Sequence, residues 1–96
     1  MTILQVQLEK CNLSHESWDK LCKCSLERLQ EKRGKLKTGQ KYIFDYNGLP
    51  VIGVLSLIRY GKEIRCHAKF MSPLLQGQEL YCNVSERDIK LTYSNQ

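Results

Sequence analysis

The feature that most constrains the fold is a regular alternation of side chains over residues 62–70. From Glu63 onward, charged or polar residues alternate with apolar or small ones. A period of two places successive side chains on opposite faces of a β-strand, so this segment predicts a half-buried strand. The inward set is Ile64, Cys66, Ala68 and Phe70, and the outward set is Glu63, Arg65, His67 and Lys69.

Four further segments have a strand pattern, which predicts about five antiparallel strands within residues 41–93. The dipeptide Asn47-Gly48 between the first two is typical of a tight hairpin turn. Gly53 lies in a near-continuous apolar run and predicts a bulge or strong bend in a central strand. The expected strands are residues 42–46, 51–60, 62–70, 79–84 and 89–93.

The first third of the chain predicts one strand and one helix. Leu4, Val6 and Leu8 alternate with polar residues, so residues 3–9 are expected to form a strand. Residues 14–33 are expected to form a helix, because Ser14 suits an N-cap and apolar residues recur at three-and-four spacing. Gly34 suits the C-terminal cap of that helix.

Together these elements predict a single small α+β domain over residues 1–96. A chain of this length has room for one hydrophobic core. We expect a strand–helix unit followed by a strongly curved antiparallel sheet or a small β-barrel of about five strands. The alternative is a flat sheet with the helix on one face.

The net charge of +5 is concentrated at the end of the predicted helix and in a basic connector at residues 34–40. Residues 31–41 hold five basic residues and one acidic residue. Clustered cations neutralise phosphates and release counterions, which favours a nucleic-acid contact. The alternative is a solvated helix end, where cations favour the helix dipole. The basic residues are Lys32, Arg33, Lys35, Lys37 and Lys41.

Arg65, His67 and Lys69 are expected to stand in a row about 7 Å apart on the outer face of their strand. Beside the connector, this row would extend the cationic surface, so Arg65 and Lys69 complete the predicted nucleic-acid-binding set. An ordinary solvent-exposed face is the alternative, because Glu63 lies in the same row.

A stripe of aromatic residues in the first strand of the sheet has two interpretations. Tyr42, Phe44 and Tyr46 could stack on unpaired bases. The opposite side of that strand offers only Ile43 and Asp45, so the aromatic side is the one expected to be buried.

The sequence offers no metal or catalytic motif. Cys22-x-Cys24 and Cys66-His67 lack the paired spacing typical of structural zinc sites. Alternation places His67 on the opposite face from Cys66, and no phosphate loop or nucleophile elbow occurs. We therefore expect a non-enzymatic protein without cofactor or metal. Five cysteines without an export signal favour reduced thiols in the cytoplasm, and no apolar run suits a membrane span.

The predicted function is a small binding module that contacts RNA or a single strand with weak sequence specificity. The alternative is a protein-interaction factor, such as an adaptor or an inhibitor subunit of a larger complex. It would use the loop at residues 71–78 and a sheet edge, which also permits self-association. The partner-binding residues of this alternative are Met71, Leu74 and Leu75.

Overall fold

The computed structural model describes residues 2–70 and 80–94, and it confirms the α+β class. Within these residues, three helices precede a five-stranded antiparallel sheet. The helices are α1 (Ile3–Lys10), α2 (His15–Lys23) and α3 (Leu26–Arg33). The strands are β1 (Lys41–Tyr46), β2 (Leu49–Tyr60), β3 (Glu63–Phe70), β4 (Leu80–Val84) and β5 (Ile89–Thr92), with a short 3₁₀ helix at Glu86–Asp88.

The predicted strand at residues 3–9 is wrong, because this segment forms α1. A capping box starts the helix: the Thr2 hydroxyl accepts from the Gln5 amide, and the Gln5 side chain accepts from the Thr2 amide. Leu4, Leu8 and Cys11 then pack together towards the sheet, at helical spacing. The spacing of Leu4 and Leu8 is therefore compatible with a helix as well as with a strand.

The predicted helix at residues 14–33 is two helices. Ser14 caps α2 as expected, but the backbone becomes extended at Cys24 and Ser25. The Ser25 hydroxyl accepts from the Arg28 amide at 3.4 Å and thereby caps a new helix, α3. Gly34 ends α3 with a φ of 69°, in agreement with the predicted C-terminal cap.

The sheet has the strand order β4-β3-β2-β1-β5 and does not close into a barrel. Asn47 and Gly48 both have positive φ and form the predicted two-residue turn between β1 and β2. The pairing of these strands continues through Gly53 without a shift, whereas a bulge interrupts the β1–β5 pairing between Ile43 and Phe44. Only residues 85–88 join the two outer strands, so the sheet is curved enough to bring those edges within reach of four residues.

The inner face of the curved sheet holds one core to which all five strands contribute. Its buried members include Tyr42 and Phe44, so the expectation that the aromatic stripe of β1 is buried is confirmed for these two rings. Tyr46, at the end of β1, lies at the rim and is 37% exposed. The other buried members are Val51, Leu55, Ala68, Phe70 and Ile89.

The helices pack on part of the outer face and form a second core there. Ile43 of β1 and Ile52 of β2 meet this core, together with Leu91 of β5. The Trp18 indole N–H donates to the Gly48 carbonyl at 3.1 Å, which fixes α2 over the β1–β2 turn. The helices therefore pack on the outer face at β5, β1 and the first part of β2.

Candidate functional site

The outward side chains of the second part of β2, of β3 and of β4 form a surface that we call the open face. Residues directly opposite each other on antiparallel strands share a face, so the strand register defines the members of this surface. On this surface, the uncharged residues of β2 lie beside the charged row of β3. The members are Val54, Ser56, Ile58, Tyr60, Glu63, Arg65, His67, Lys69, Tyr81 and Asn83.

The register brings Lys41, the first residue of β1, onto the same face as the predicted cationic row. Lys41 pairs with Val54, Val54 pairs with Lys69, and Lys69 pairs with Tyr81. Neighbouring strands are about 4.8 Å apart, so the Cα atoms of Lys41 and Lys69 are separated by about 10 Å. The predicted cations Lys41, Arg65 and Lys69 therefore belong to one continuous surface.

Two tyrosine rings on the open face are exposed, and each contacts a cation. Tyr60 is 49% exposed, and the Arg65 guanidinium carbon lies 4.9 Å from its ring centroid. Tyr81 is 65% exposed, and the Lys69 ammonium lies 5.7 Å from its ring centroid. The Tyr60 ring also stacks on His67, with centroids 6.1 Å apart and planes at 26°. These contacts orient the rings and leave much of their surface accessible.

The acidic residue of the open face neutralises it only in part. Glu63 lies 3.4 Å from the Arg65 guanidinium, with both side chains more than half exposed. An exposed ion pair of this kind contributes at most about 1 kcal/mol and is screened by salt. Arg65 can therefore exchange Glu63 for another anion at low cost.

The basic connector is fixed along β2 by backbone hydrogen bonds. The Gly39 amide donates to the Leu55 carbonyl at 2.8 Å, and the Leu55 amide donates to the Gln40 carbonyl at 3.1 Å. The Lys37 amide donates to the Tyr42 hydroxyl at 3.1 Å. The connector thus continues the line of β1, and its Lys35 and Lys37 are exposed.

Arg33 differs from the other predicted cations, because its side chain is fully buried. Its guanidinium donates to the carbonyls of Glu86 and Ile89 and lies 3.7 Å from the Glu86 carboxylate. Burial lowers the pKa of Arg33, and the Glu86 charge opposes that shift. Arg33 therefore joins α3 to the β4–β5 connection and is not part of the exposed cationic surface.

Lys32 is exposed but lines a separate groove between α2 and α3. The groove has a volume of about 490 Å³. Its charged lining is entirely cationic: Lys20, Lys23, Arg28 and Lys32. The predicted set is thus divided between this groove, the connector, the open face and the interior.

Sequence reasoning missed both exposed tyrosines. Tyr60 precedes the Gly61 turn and pairs with Glu63, so the register of the β2–β3 hairpin assigns it to the cationic face. Tyr81 stands between the inward Leu80 and Cys82 and therefore points outward. Both assignments follow from alternation once the turns are located.

The cysteines and histidines do not assemble into a site. In the described residues, no three His, Cys, Asp or Glu side chains lie close enough together to hold a metal ion. Cys66 and Cys82 pack against the inner core, and burial raises the pKa of both thiols. His67 lies on the opposite face of β3 from Cys66, as the alternation predicted.

The predicted partner-binding residues Met71, Leu74 and Leu75, with the loop at residues 71–78, lie outside the described residues. None of the helices in residues 2–70 and 80–94 has the length and apolar character required to cross a membrane.

Comparison of the chain with protein-family models, curated proteins and solved structures found no match. The open face, the connector and the cationic groove are therefore the surfaces from which a function is inferred.

Proposed function

We propose that the protein is a non-enzymatic module that binds single-stranded nucleic acid, RNA or DNA, with weak sequence preference. The observation that carries this proposal is the pair of exposed rings, Tyr60 and Tyr81, each in contact with a cation on an open sheet face. In this arrangement the rings stack on bases, and Lys41, Arg65 and Lys69 contact the backbone phosphates.

Base stacking and phosphate contacts make separate contributions to the binding free energy. An unpaired base stacked on an aromatic ring contributes about 1–3 kcal/mol, and every base has a π-face, so sequence preference is weak. Phosphate contacts are also independent of sequence and weaken with salt. Lys35 and Lys37 of the connector add positive charge beside this face.

The spacing of the two tyrosine positions in the sheet fits a short single strand. Tyr60 lies six residues along β2 from Val54, the position aligned with Tyr81 two strands away. This register separates the Cα atoms of Tyr60 and Tyr81 by about 20 Å along the strands and about 10 Å across them. Such a span matches a site of several nucleotides, as in other sheet platforms that bind single strands.

A single strand is preferred to a duplex in this proposal, because stacking on a side chain requires an unpaired base face. The helices give no independent support for groove reading: the exposed positions of α2 mix Glu16 and Asp19 with Lys20 and Lys23. Base-edge recognition in a major groove usually requires a helix or β-ribbon that enters the groove.

Fluorescence anisotropy with labelled six-nucleotide RNA and DNA, single-stranded and duplex, tests the proposal at rising salt. Single strands should bind more tightly than duplexes. Tyr81→Ala should weaken binding about 5- to 150-fold, the equivalent of about 1–3 kcal/mol. Tyr81→Phe is the matched control, because it retains the ring and should retain the affinity. Absence of binding at low salt, or equal binding by Tyr81→Ala and wild type, would overturn the proposal.

One observation favours a second candidate, a protein-interaction factor. The tip of the β2–β3 hairpin exposes apolar side chains on both faces, with Ile58 38% exposed and Ile64 63% exposed. Such a tip, next to the β4 edge of the sheet, suits a protein partner. A pull-down that Ile64→Ser abolishes, combined with no oligonucleotide binding, would favour this candidate.

A further inference from the structure

The groove between α2 and α3 arises from the break at Cys24 and Ser25. The backbone is extended at both residues, so α3 starts as a separate helix directly after α2. Lys20 and Lys23 line the groove from α2, and Arg28 and Lys32 line it from α3. In an uninterrupted helix these four cations would be spread along a single rod.

Little negative charge balances this cluster. The groove lining contains no acidic side chain among the described residues. Glu16 lies 3.3 Å from the Lys20 ammonium, but both side chains are more than 70% exposed. An exposed i,i+4 pair of this type contributes only about 0.3–0.5 kcal/mol. The positive potential of the groove is therefore available to an external anion.

Helix dipoles account for only part of the cluster. Lys20, Lys23 and Lys32 occupy the last turns of their helices, where positive charge is favourable. Arg28, by contrast, lies in the first turn of α3, where the dipole favours negative charge. The helix dipole therefore does not account for Arg28, which lines the same groove as Lys20 and Lys23.

We propose that the α2–α3 groove binds phosphates of a nucleic-acid strand and is a second contact for strands longer than the open face accommodates. This inference rests on the proposed function, since it names the same ligand. A groove of about 490 Å³ is large enough for a phosphodiester segment. Lysine and arginine at its rim give affinity without base recognition.

A strand of moderate length reaches both surfaces. The longest dimension of the molecule is 45 Å. A strand advances about 3.4 Å per nucleotide even when its bases are stacked, so 20 nucleotides span more than this dimension. A six-nucleotide strand is matched instead to the open face alone.

The test compares six- and 20-nucleotide single strands by anisotropy, with wild type and with Lys23→Gln/Arg28→Gln. We expect the groove variant to bind the six-nucleotide strand like wild type. Its affinity for the 20-nucleotide strand should fall, and its log–log salt slope should decrease in magnitude by about 1.4, about 0.7 for each lost phosphate contact. The matched control is Lys10→Gln/Arg87→Gln, which removes the same charges from exposed positions outside the groove.

A residue-level readout accompanies the affinities. In ¹⁵N-labelled protein, amide resonances in residues 20–32 should shift with the 20-nucleotide strand and stay in place with the six-nucleotide strand. Circular dichroism melting verifies that both double variants are folded.

The outcomes separate the two proposals. If the groove and control variants bind the 20-nucleotide strand equally and residues 20–32 do not shift, the groove inference is overturned, while binding of the short strand still supports the open face. If only the long strand binds, and only through the groove, the open face fails and the groove inference is supported. If neither strand binds, both are overturned.

Discussion

The rings of Phe44 and Phe70 are in edge-to-face contact, with centroids 5.3 Å apart and planes at 64°, although their strands do not pair with each other. β2 runs between them, and its residue at this point is Gly53, which pairs with Phe70. A Cβ at Gly53 would lie 2.8 Å from Phe70 Cδ1 and 3.1 Å from Phe44 Cε1. Glycine therefore allows the rings of two non-adjacent strands to meet over the strand between them.

Gly53→Ala should lower the free energy of unfolding by about 1–3 kcal/mol, because the added methyl group overpacks a rigid ring pair. Urea denaturation followed by the fluorescence of Trp18, the single tryptophan of the sequence, measures the change. Ser56→Ala on the opposite face of β2 is the control and should change stability by less than about 0.5 kcal/mol. An equally stable Gly53→Ala protein would show that the rings are free to move apart.

Arg33→Met should lower the free energy of unfolding by about 2–4 kcal/mol. The substitution retains apolar volume but leaves the carbonyls of Glu86 and Ile89 without this donor. Lys32→Met is the matched control at an exposed position and should stay within about 0.5 kcal/mol of wild type. Chemical denaturation measures the free energy of unfolding of both variants. Equal effects of the two substitutions would contradict the structural role of Arg33.

Stability should fall between pH 9 and pH 11 in part because of Cys11. Burial raises the pKa of this thiol from 9.0 to about 11. Below pH 9 both states keep the proton; between the two values the unfolded chain loses it and the folded protein retains it. The unfolded state then binds fewer protons, so the free energy of unfolding falls with pH, by up to about 2–3 kcal/mol.

Cys11→Ala isolates this contribution from the other thiols, lysines and tyrosines that titrate in the same range. Urea denaturation under reducing conditions at pH 9 and pH 11 should show a smaller loss of stability in the variant than in wild type. Parallel losses in the two proteins would mean that Cys11 ionises as readily in the folded state as in the unfolded one.

Lys35→Gln/Lys37→Gln should weaken single-strand binding, because the substitutions remove phosphate contacts. The log–log salt slope should become smaller in magnitude by up to about 1.4. Tyr81→Ala should do the reverse, lowering affinity at every salt concentration without changing the slope. Anisotropy titrations across a range of salt concentrations distinguish the two effects. A connector variant with an unchanged slope would show that phosphates do not reach Lys35 and Lys37.

Most of the sheet was predictable from the sequence, because its signals are local. Alternation in β3 and the Asn47-Gly48 turn define strand positions without knowledge of distant contacts. α1 was not predictable by the same rule, since the spacing of Leu4 and Leu8 fits a helical turn as well as a strand. Whether this segment forms a helix or a strand depends on the Thr2 cap and on packing against the sheet.

The candidate site was predictable in its charges and not in its geometry. Lys41, Arg65 and Lys69 were identified as cations, but their common face follows from a register across three strands. The sequence groups Arg33 with Lys32, and only its contacts with residues 86 and 89 place it in the interior. Long-range contacts of this kind leave no local signature.

The pairing of β1 with β5 has a consequence for how the chain folds. It joins Phe44 to Ile89 and Tyr42 to Thr92, whereas the hairpins from β1 to β3 form between neighbours in sequence. Closing the longer loop costs more chain entropy before any contact compensates for it, so β5 should dock after those hairpins have formed. The anchor of α3 at Ile89 then completes late, so substitutions in β5 should speed unfolding more than they slow folding.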